Sequence, residues 1–364
     1  MAPPTRILLL YAASPQTRML SYQAGWPKHF LRHPRFECVP LNVLERRPLL
    51  DARALRALRR PLDAVVILHS VFSNGQYLTG RLLDRVAALP VPKAYFVGNE
   101  YKLMPAKIAF CEEVGVGLVV SQLGDPAARD LYRQRLGVEV AAIPSGGLDL
   151  DVFDARTPRP ERPIDVGYRA FRTAPYLGHH EREQLAEAFA EAAARRGLRA
   201  DISLELADRL VDEPAWAGFL DGCRGQLGSE AGADFFELTD ETRARVGGWA
   251  REHPEATAPE ILERFFASPP GGPSGRALSG RVVEAAGTRT VQLLLEGAYG
   301  GYFEPNVHYI PVRKDLADVD EALDRLEDGA ETERLVAAAH EVAVGELTYA
   351  RLIDRFHDAL AGLL

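Results

Sequence analysis

The stretch Arg281-Val282-Val283-Glu284-Ala285-Ala286-Gly287-Thr288-Arg289-Thr290-Val291-Gln292-Leu293-Leu294-Leu295-Glu296-Gly297 decides how this chain is read. A short helical segment runs up to Gly287, and a run of strand length, Val291 to Leu295, apolar except for Gln292, follows the turn. A strand apolar on both faces belongs to a parallel sheet covered on both sides. A helix leading through glycine into such a strand is part of a βαβ series. The stretch carries two carboxylates, Glu284 one turn before the glycine and Glu296 at the strand's end.

The same alternation continues in both directions. In the first half, strands are expected at Arg6–Tyr11, Phe36–Val43, Ala64–Ser70, Lys93–Val97, Leu118–Ser121 and Val138–Ile143. Helices are expected at Ala52–Arg60, Gly80–Leu89, Ala106–Val114 and Pro126–Leu136. Residues 1–146 thus predict one doubly wound domain. The Pro144–Asp149 stretch and the Pro/Arg-rich Arg156–Pro163 punctuate the chain and mark a crossing into a second α/β domain, 147–345. That domain opens on the strand Ile164–Tyr168 and carries an insertion at 234–275, which has helical character and a flexible Pro/Gly-rich exit. Residues 346–364 form a terminal helix.

At 364 residues the chain exceeds what one core usually serves, in keeping with two domains. A net charge of −8 argues against a nucleic-acid surface. The Arg56–Arg60 run reads as a solvated helix face. Cys38, Cys111 and Cys223 have no CxxC or Cys/His spacing, so neither a disulfide frame nor a metal site is expected. No signal peptide and no apolar run near the ~20 residues of a membrane span is found, and a cytoplasmic location is expected.

In open α/β sheets ligands bind beyond the carboxyl ends of the strands, so residues directly after strands are the ones worth reading. From the first domain these are His69 and Glu100, either of which can serve as a general base, although a lone strand-end histidine is more often structural. From the second domain they are Arg169 and Arg172, where a guanidinium fork suits a diphosphate, and Ser229 and Glu230. Arginines paired within their own loop, and an N-cap serine, are the plainer alternatives. Helix N-termini after Gly228 and Gly297 are further anion sites. Glu284 is placed to accept from a ribose diol; by spacing alone it is a helix-surface glutamate. Adjacent His179 and His180 diverge in direction, and no metal is expected there.

Glu284-Ala285-Ala286-Gly287, set between a helix start and an apolar strand, resembles the Glu-Ala-x-x-x-Gly signature of GT-B glycosyltransferases (glycosyl transferases group 1-like). The run through Glu296-Gly297-Ala298-Tyr299-Gly300-Gly301, His308-Tyr309-Ile310-Pro311 and Lys314-Asp315 is similar to one branch of that group, as is Pro144–Phe153 to its interdomain segment. The resemblance implies the GT-B fold, two Rossmann-like domains facing across a cleft, with the terminal helix crossing back to the first. It implies a metal-independent hexosyltransferase using a nucleoside diphosphate sugar as co-substrate and no cofactor. In it Glu284 binds the ribose, Arg169 or Arg172 the diphosphate, and Ser229, Glu230 and Glu296 remain candidates around the donor. Two departures stand out. Arg276 occupies the position eight before Glu284, where many retaining members carry a glutamate, and Ala12–Thr17 replaces the glycine-rich loop after the first strand. The acceptor (small molecule, glycan or protein) is not identified by these residues. A sugar-nucleotide epimerase, using cleft carboxylates among Glu100, Glu230 and Glu296, and a non-catalytic nucleotide-sugar-binding module remain alternatives. His308 recurs in the resembling branch, and the sequence offers no task for it.

Overall fold

The structure is a computed structural model that describes residues 3–14, 21–45, 60–205, 212–268 and 271–364, Tyr22 by its backbone alone. The helix expected at Ala52–Arg60 falls, up to residue 59, outside the described residues.

The first unit is a six-stranded, wholly parallel sheet of β1 (Thr5–Tyr11), β2 (Phe36–Asn42), β3 (Ala64–Ile67), β4 (Lys93–Phe96), β5 (Leu118–Ser121) and β6 (Glu139–Ala142), in the order β2-β1-β3-β4-β5-β6. Helices α1 (Ser21–Phe30), α2 (Gly80–Ala87), α3 (Met104–Val114) and α4 (Pro126–Leu136) connect its strands. The central strands β3, β4 and β5 are buried at every residue, which is why apart from Lys93 and Ser121 at their ends they read as apolar runs. The expected strand at Ala64–Ser70 is cut short: after Ile67 the chain winds one 3₁₀ turn, His69–Val71.

The second unit has the parallel order β13-β12-β9-β7-β8. Its strands are β7 (Ile164–Arg169), β8 (Ala200–Ser203), β9 (Cys223–Gly228), β12 (Val291–Leu295) and β13 (Ile310–Val312). Helices α5 (Glu181–Arg196), α6 (Glu213–Gly222), α9 (Gly280–Gly287), α10 (Val319–Glu327) and α11 (Gly329–Glu346) accompany them. In each sheet the strand order reverses once, between β1 and β3 and between β7 and β9, and the loops parting at such a point leave a crevice.

The two units are joined on two sides. On one, the linker Ser145–Asp149 runs beside the segment that enters α12 (Tyr349–Ala361): Leu148 N–H donates to the Leu347 carbonyl at 2.7 Å. α12 packs on the first unit, Phe356 lying 5.6 Å from Phe30 and 5.0 Å from Phe96 between ring centroids. On the other side, the insertion forms β10 (Ala231–Ala233), α7 (Glu241–Glu252), α8 (Ala258–Phe266) and β11 (Gly275–Ala277), with β10 and β11 antiparallel. Phe236 enters the core of the first unit and lies 5.3 Å from Tyr132. Asp240 accepts from the N–H groups of Leu103 (2.6 Å) and Met104 (3.1 Å), supplying acceptors at the start of α3 that Leu103 itself lacks. The exit expected to be flexible ends in an ordered strand, because Gly275–Ala277 is paired with β10 and Ser274 N–H donates to Asp125 at 2.7 Å.

Candidate functional site

A cavity of about 360 Å³ lies between the two sheets, within the roughly 300–1,000 Å³ range of small-molecule sites. Its wall on the first unit comes from residues that follow strands: His69 after β3, Gly98, Asn99 and Tyr101 after β4, Gln122 after β5, and Ile143 to Ser145 after β6. The facing wall has Ala170 to Arg172 after β7, Gly228 and Ser229 at the end of β9, Ser279 to Val282 at the start of α9, and Glu284 one turn further along it. Of the residues singled out by sequence, His69, Arg172, Ser229 and Glu284 line this cavity; Glu100, Arg169, Glu230 and Glu296 do not.

Glu284 is no surface glutamate. It is 4% exposed, its Oε2 accepts from the Trp216 indole Nε1 at 2.7 Å, and its Oε1 accepts from the Ser21 hydroxyl of the other unit. Burial pushes its carboxyl up to about 7, against the pull of those two donors and of Arg281 nearby. Gly287 is needed for a different reason from a left-handed turn. It is the last residue of α9, and a Cβ there would meet the Leu148 side chain and the Phe153 carbonyl of the linker; the left-handed conformation falls instead on Arg289 (φ 50°).

His69 is buried, and burial pulls its imidazole down to about 4, so it is neutral at pH 7 and a weak base. Glu100, expected to face the cleft, is turned behind β5. Its carboxylate accepts from Ser121 Oγ (2.7 Å), Tyr132 Oη (2.8 Å) and Gln122 N–H (2.9 Å), and burial raises its pKa against those donors. What holds this loop at the cavity is a residue without a sequence signal, Lys107. Its buried ammonium donates to the carbonyls of Gly98 (2.5 Å), Asn99 (2.9 Å) and Lys102 (2.9 Å), and burial pulls it down to about 7.

The arginine pair separates. Arg169 turns along the sheet edge, where it pairs with Asp201, donates to the Asp201 carbonyl at 3.0 Å and lies over the Phe219 ring at 4.9 Å. Arg172 reaches the cavity with its side chain 67% exposed, paired to Glu205 at 2.9 Å. Arg182 and Arg281 also line the cavity and were missed, since both sit inside helices, where the strand-end rule is silent. The helix start that faces the cavity is that of α9, whose N-cap Ser279 makes no side-chain cap hydrogen bond and lines the cavity. The two starts expected after Gly228 and Gly297 are a strand and a 3₁₀ turn whose Tyr299 N–H is taken by Glu230 at 2.8 Å. Glu230 is thus a loop anchor, its carboxyl raised by burial, and Ser229 is no N-cap. Glu296 is exposed to solvent outside the cavity.

Two further histidines, His308 and His179, make structural contacts. His308 Nδ1 accepts from Glu304 N–H at 2.8 Å and closes the Glu304–His308 turn. His179 meets the Gly232 carbonyl at 3.1 Å beside Glu181. Among the described residues, no group of three or more His, Cys, Asp or Glu side chains is arranged to hold a metal ion, and no helix is long and apolar enough to cross a membrane.

No family model matches the sequence, and no curated protein matches it. Solved structures do. Anabaena HepE in complex with UDP-glucose aligns with a TM-score of 0.53 over 98% of this chain and 100% of its own, at 12% identity. The same protein in complex with UDP gives 0.50 over 99% and 100%, at 12% identity. The N-terminal domain of Candida albicans trehalose-6-phosphate phosphatase gives 0.52 over 99% and 97%, at 10% identity. Likeness at this level of identity is a likeness of fold, and the fold is GT-B: two facing Rossmann-like units in one α/β chain.

Proposed function

We propose that the protein is a glycosyltransferase that takes a sugar from a nucleoside diphosphate sugar bound against the second unit and passes it to an acceptor held against the first. The observation that carries this reading is the position of Glu284. A buried carboxylate in the second turn of α9 shares one cavity with Arg172, Arg281 and the α9 N-terminus. A carboxylate suits ribose hydroxyls, while guanidinium groups and free N–H groups suit a diphosphate on which charge grows as the glycosidic bond breaks. HepE, of the same fold, has been solved with UDP-glucose and with UDP, so a UDP-hexose is the first donor to try.

In this reading His69 is placed to take the acceptor's proton, since it is a histidine that follows a strand of the first unit and lines the cavity. The chemistry invokes no metal and no cofactor besides the co-substrate. Closure of the two units over the donor keeps out water, which competes as acceptor. A cytoplasmic setting accords with three free cysteines.

The epimerase alternative asked for cavity carboxylates among Glu100, Glu230 and Glu296, none of which lines the cavity. Thermal-shift measurements with UDP, GDP, dTDP and their sugars test the donor site, because a ligand of the folded state raises its stability by mass action. A shift that disappears in Glu284→Ala supports it; no shift with any nucleoside diphosphate refutes it. Slow release of nucleoside diphosphate from the sugar then separates an enzyme from a binding module.

A further inference from the structure

Two units that swing about a linker need one flank of the cleft free of ties. Here the linker side holds Leu148 beside Leu347, and the opposite flank is tied as well, by the insertion and the two strands at its base. Phe236 is 3% exposed and sits in the core of the first unit beside Tyr132, with Leu238 packed against the same core. Asp240 accepts from the Leu103 and Met104 N–H groups at the start of α3. Ser274 N–H donates to Asp125, the N-cap of α4, and Ala277 of β11 forms an antiparallel bridge with Leu123.

The same segment is rooted in the second unit. Asp234 N–H donates to the Leu177 carbonyl at 2.9 Å, Arg276 holds Glu181, and β11 runs on into α9. Ala231, Gly232 and Ala277 line the cavity, so the β10–β11 hairpin is a stretch of cavity wall fixed to both units. Parting the units would take Phe236 from an apolar core into water and strip two N–H groups of α3 of their carboxylate.

We propose that residues 231–277 are a built-in clamp that keeps the two units closed before any ligand arrives. The cavity then exists in the free protein, and nucleotide binding brings no hinge closure. The exclusion of water that sugar transfer needs is set in advance by the fold. A ligand whose binding-competent state is already populated loses no affinity to a conformational equilibrium. The clamp stands on the contacts above; only the nucleotide used to probe it rests on the donor site proposed for the glycosyltransferase reading.

Small-angle X-ray scattering of the 364-residue chain, with and without UDP, tests it. The radius of gyration of the wild-type protein should be the same in both. In a variant carrying Phe236→Ala and Asp240→Asn it should rise without ligand and fall back with UDP. By calorimetry that variant should bind UDP roughly threefold to tenfold more weakly, because its competent state is only partly populated. A wild-type protein that contracts when UDP binds overturns the clamp and leaves the donor site standing, and so does a folded double variant as compact as the wild type. Should the double variant not fold, wild-type scattering decides together with hydrogen exchange at the Leu103 and Met104 amides. Protection there without ligand supports the clamp; exchange at the rate of unstructured chain refutes it. If UDP does not bind, the donor-site reading falls, and the clamp is judged by the compactness of the two ligand-free proteins.

Discussion

Arg276 grips Glu181 with both terminal nitrogens of its guanidinium, Nη1 to Oε2 and Nη2 to Oε1, each at 2.8 Å, while its Nε donates to Asp234 at 2.8 Å. The side chains of Arg276 and Glu181 are 10% and 12% exposed. A two-pronged pair this far from water fastens β11 to the start of α5, beside the cavity wall. The residue that departs from the resembling enzymes is thus a tie between elements, and its side chain does not line the cavity.

Removing that tie leaves two acidic partners with one cation fewer. Lys314, 3.2 Å from Glu181, remains to compensate in part. Arg276→Ala is expected to cost about 3 kcal/mol, the scale for breaking a buried ion pair by removing one member. Denaturant unfolding measures it. A loss below about 1 kcal/mol, the scale of an exposed pair, would show that the cluster is effectively solvated.

Glu284 makes stability and binding depend on pH in opposite senses. Its folded pKa of about 7 exceeds the ordinary 4.5, so between those values the native state keeps a proton that the unfolded chain has lost. Its contribution to stability therefore falls as pH rises through that window and levels off above it. Nucleotide binding runs the other way, because a ribose hydroxyl donates to the ionised carboxylate. Affinity for UDP, normalised to Glu284→Gln to cancel titration of the phosphates, should rise between about pH 6 and pH 8. A pH-independent ratio would place the ribose elsewhere.

Lys107 supports the loop that carries Gly98, Asn99 and Tyr101 to the cavity. Lys107→Met keeps the volume of the stem but leaves three carbonyls without their donor, at a cost of about 2 kcal/mol or more. Hydrogen exchange should then accelerate from residue 98 to residue 103 first. Uniform acceleration over the whole first sheet would mean that the loop is not held locally.

Gly287→Ala sets a methyl against the Phe153 carbonyl, 2.7 Å away, and against the Leu148 side chain. Both contacts belong to the linker between the units, so the variant is expected to lose about 1–3 kcal/mol, the scale of overpacking a core. A lowered Tm checks it. An unchanged Tm would show that the linker yields without cost.

The strands were legible because burial on both faces writes a mostly apolar run into the chain, as in Ala64–Ile67 and, around Gln292, in Val291–Leu295. Boundaries at polar strand ends were less so: the rule that residues after strands face the cleft found His69 and Ser229 but also selected Glu100. That rule names a loop and leaves open which way each side chain points. At this loop Asn99 adopts a left-handed conformation (φ 49°), and the next residue, Glu100, has its carboxylate behind β5, where Ser121 and Tyr132 meet it. The capping of α3 by Asp240 joins positions 137 and 136 residues apart, beyond any local pattern.

By itself the sequence determined the succession of strands and helices and the placing of a carboxylate, Glu284, just before a glycine and a buried strand. Periodicity of apolar residues reports which faces will be covered, and that depends on neighbours within a few turns of chain. Only the tertiary structure decided what the carboxylate meets: Trp216 at a separation of 68 residues and Ser21 at 263. It also decided which arginine of the pair reaches the cavity, since Asp201 and Phe219 hold Arg169 away. Hydrogen-bond partners of polar atoms are settled by how helices pack on their sheet and by how the two sheets dock, and neither distance is written in the spacing of residues.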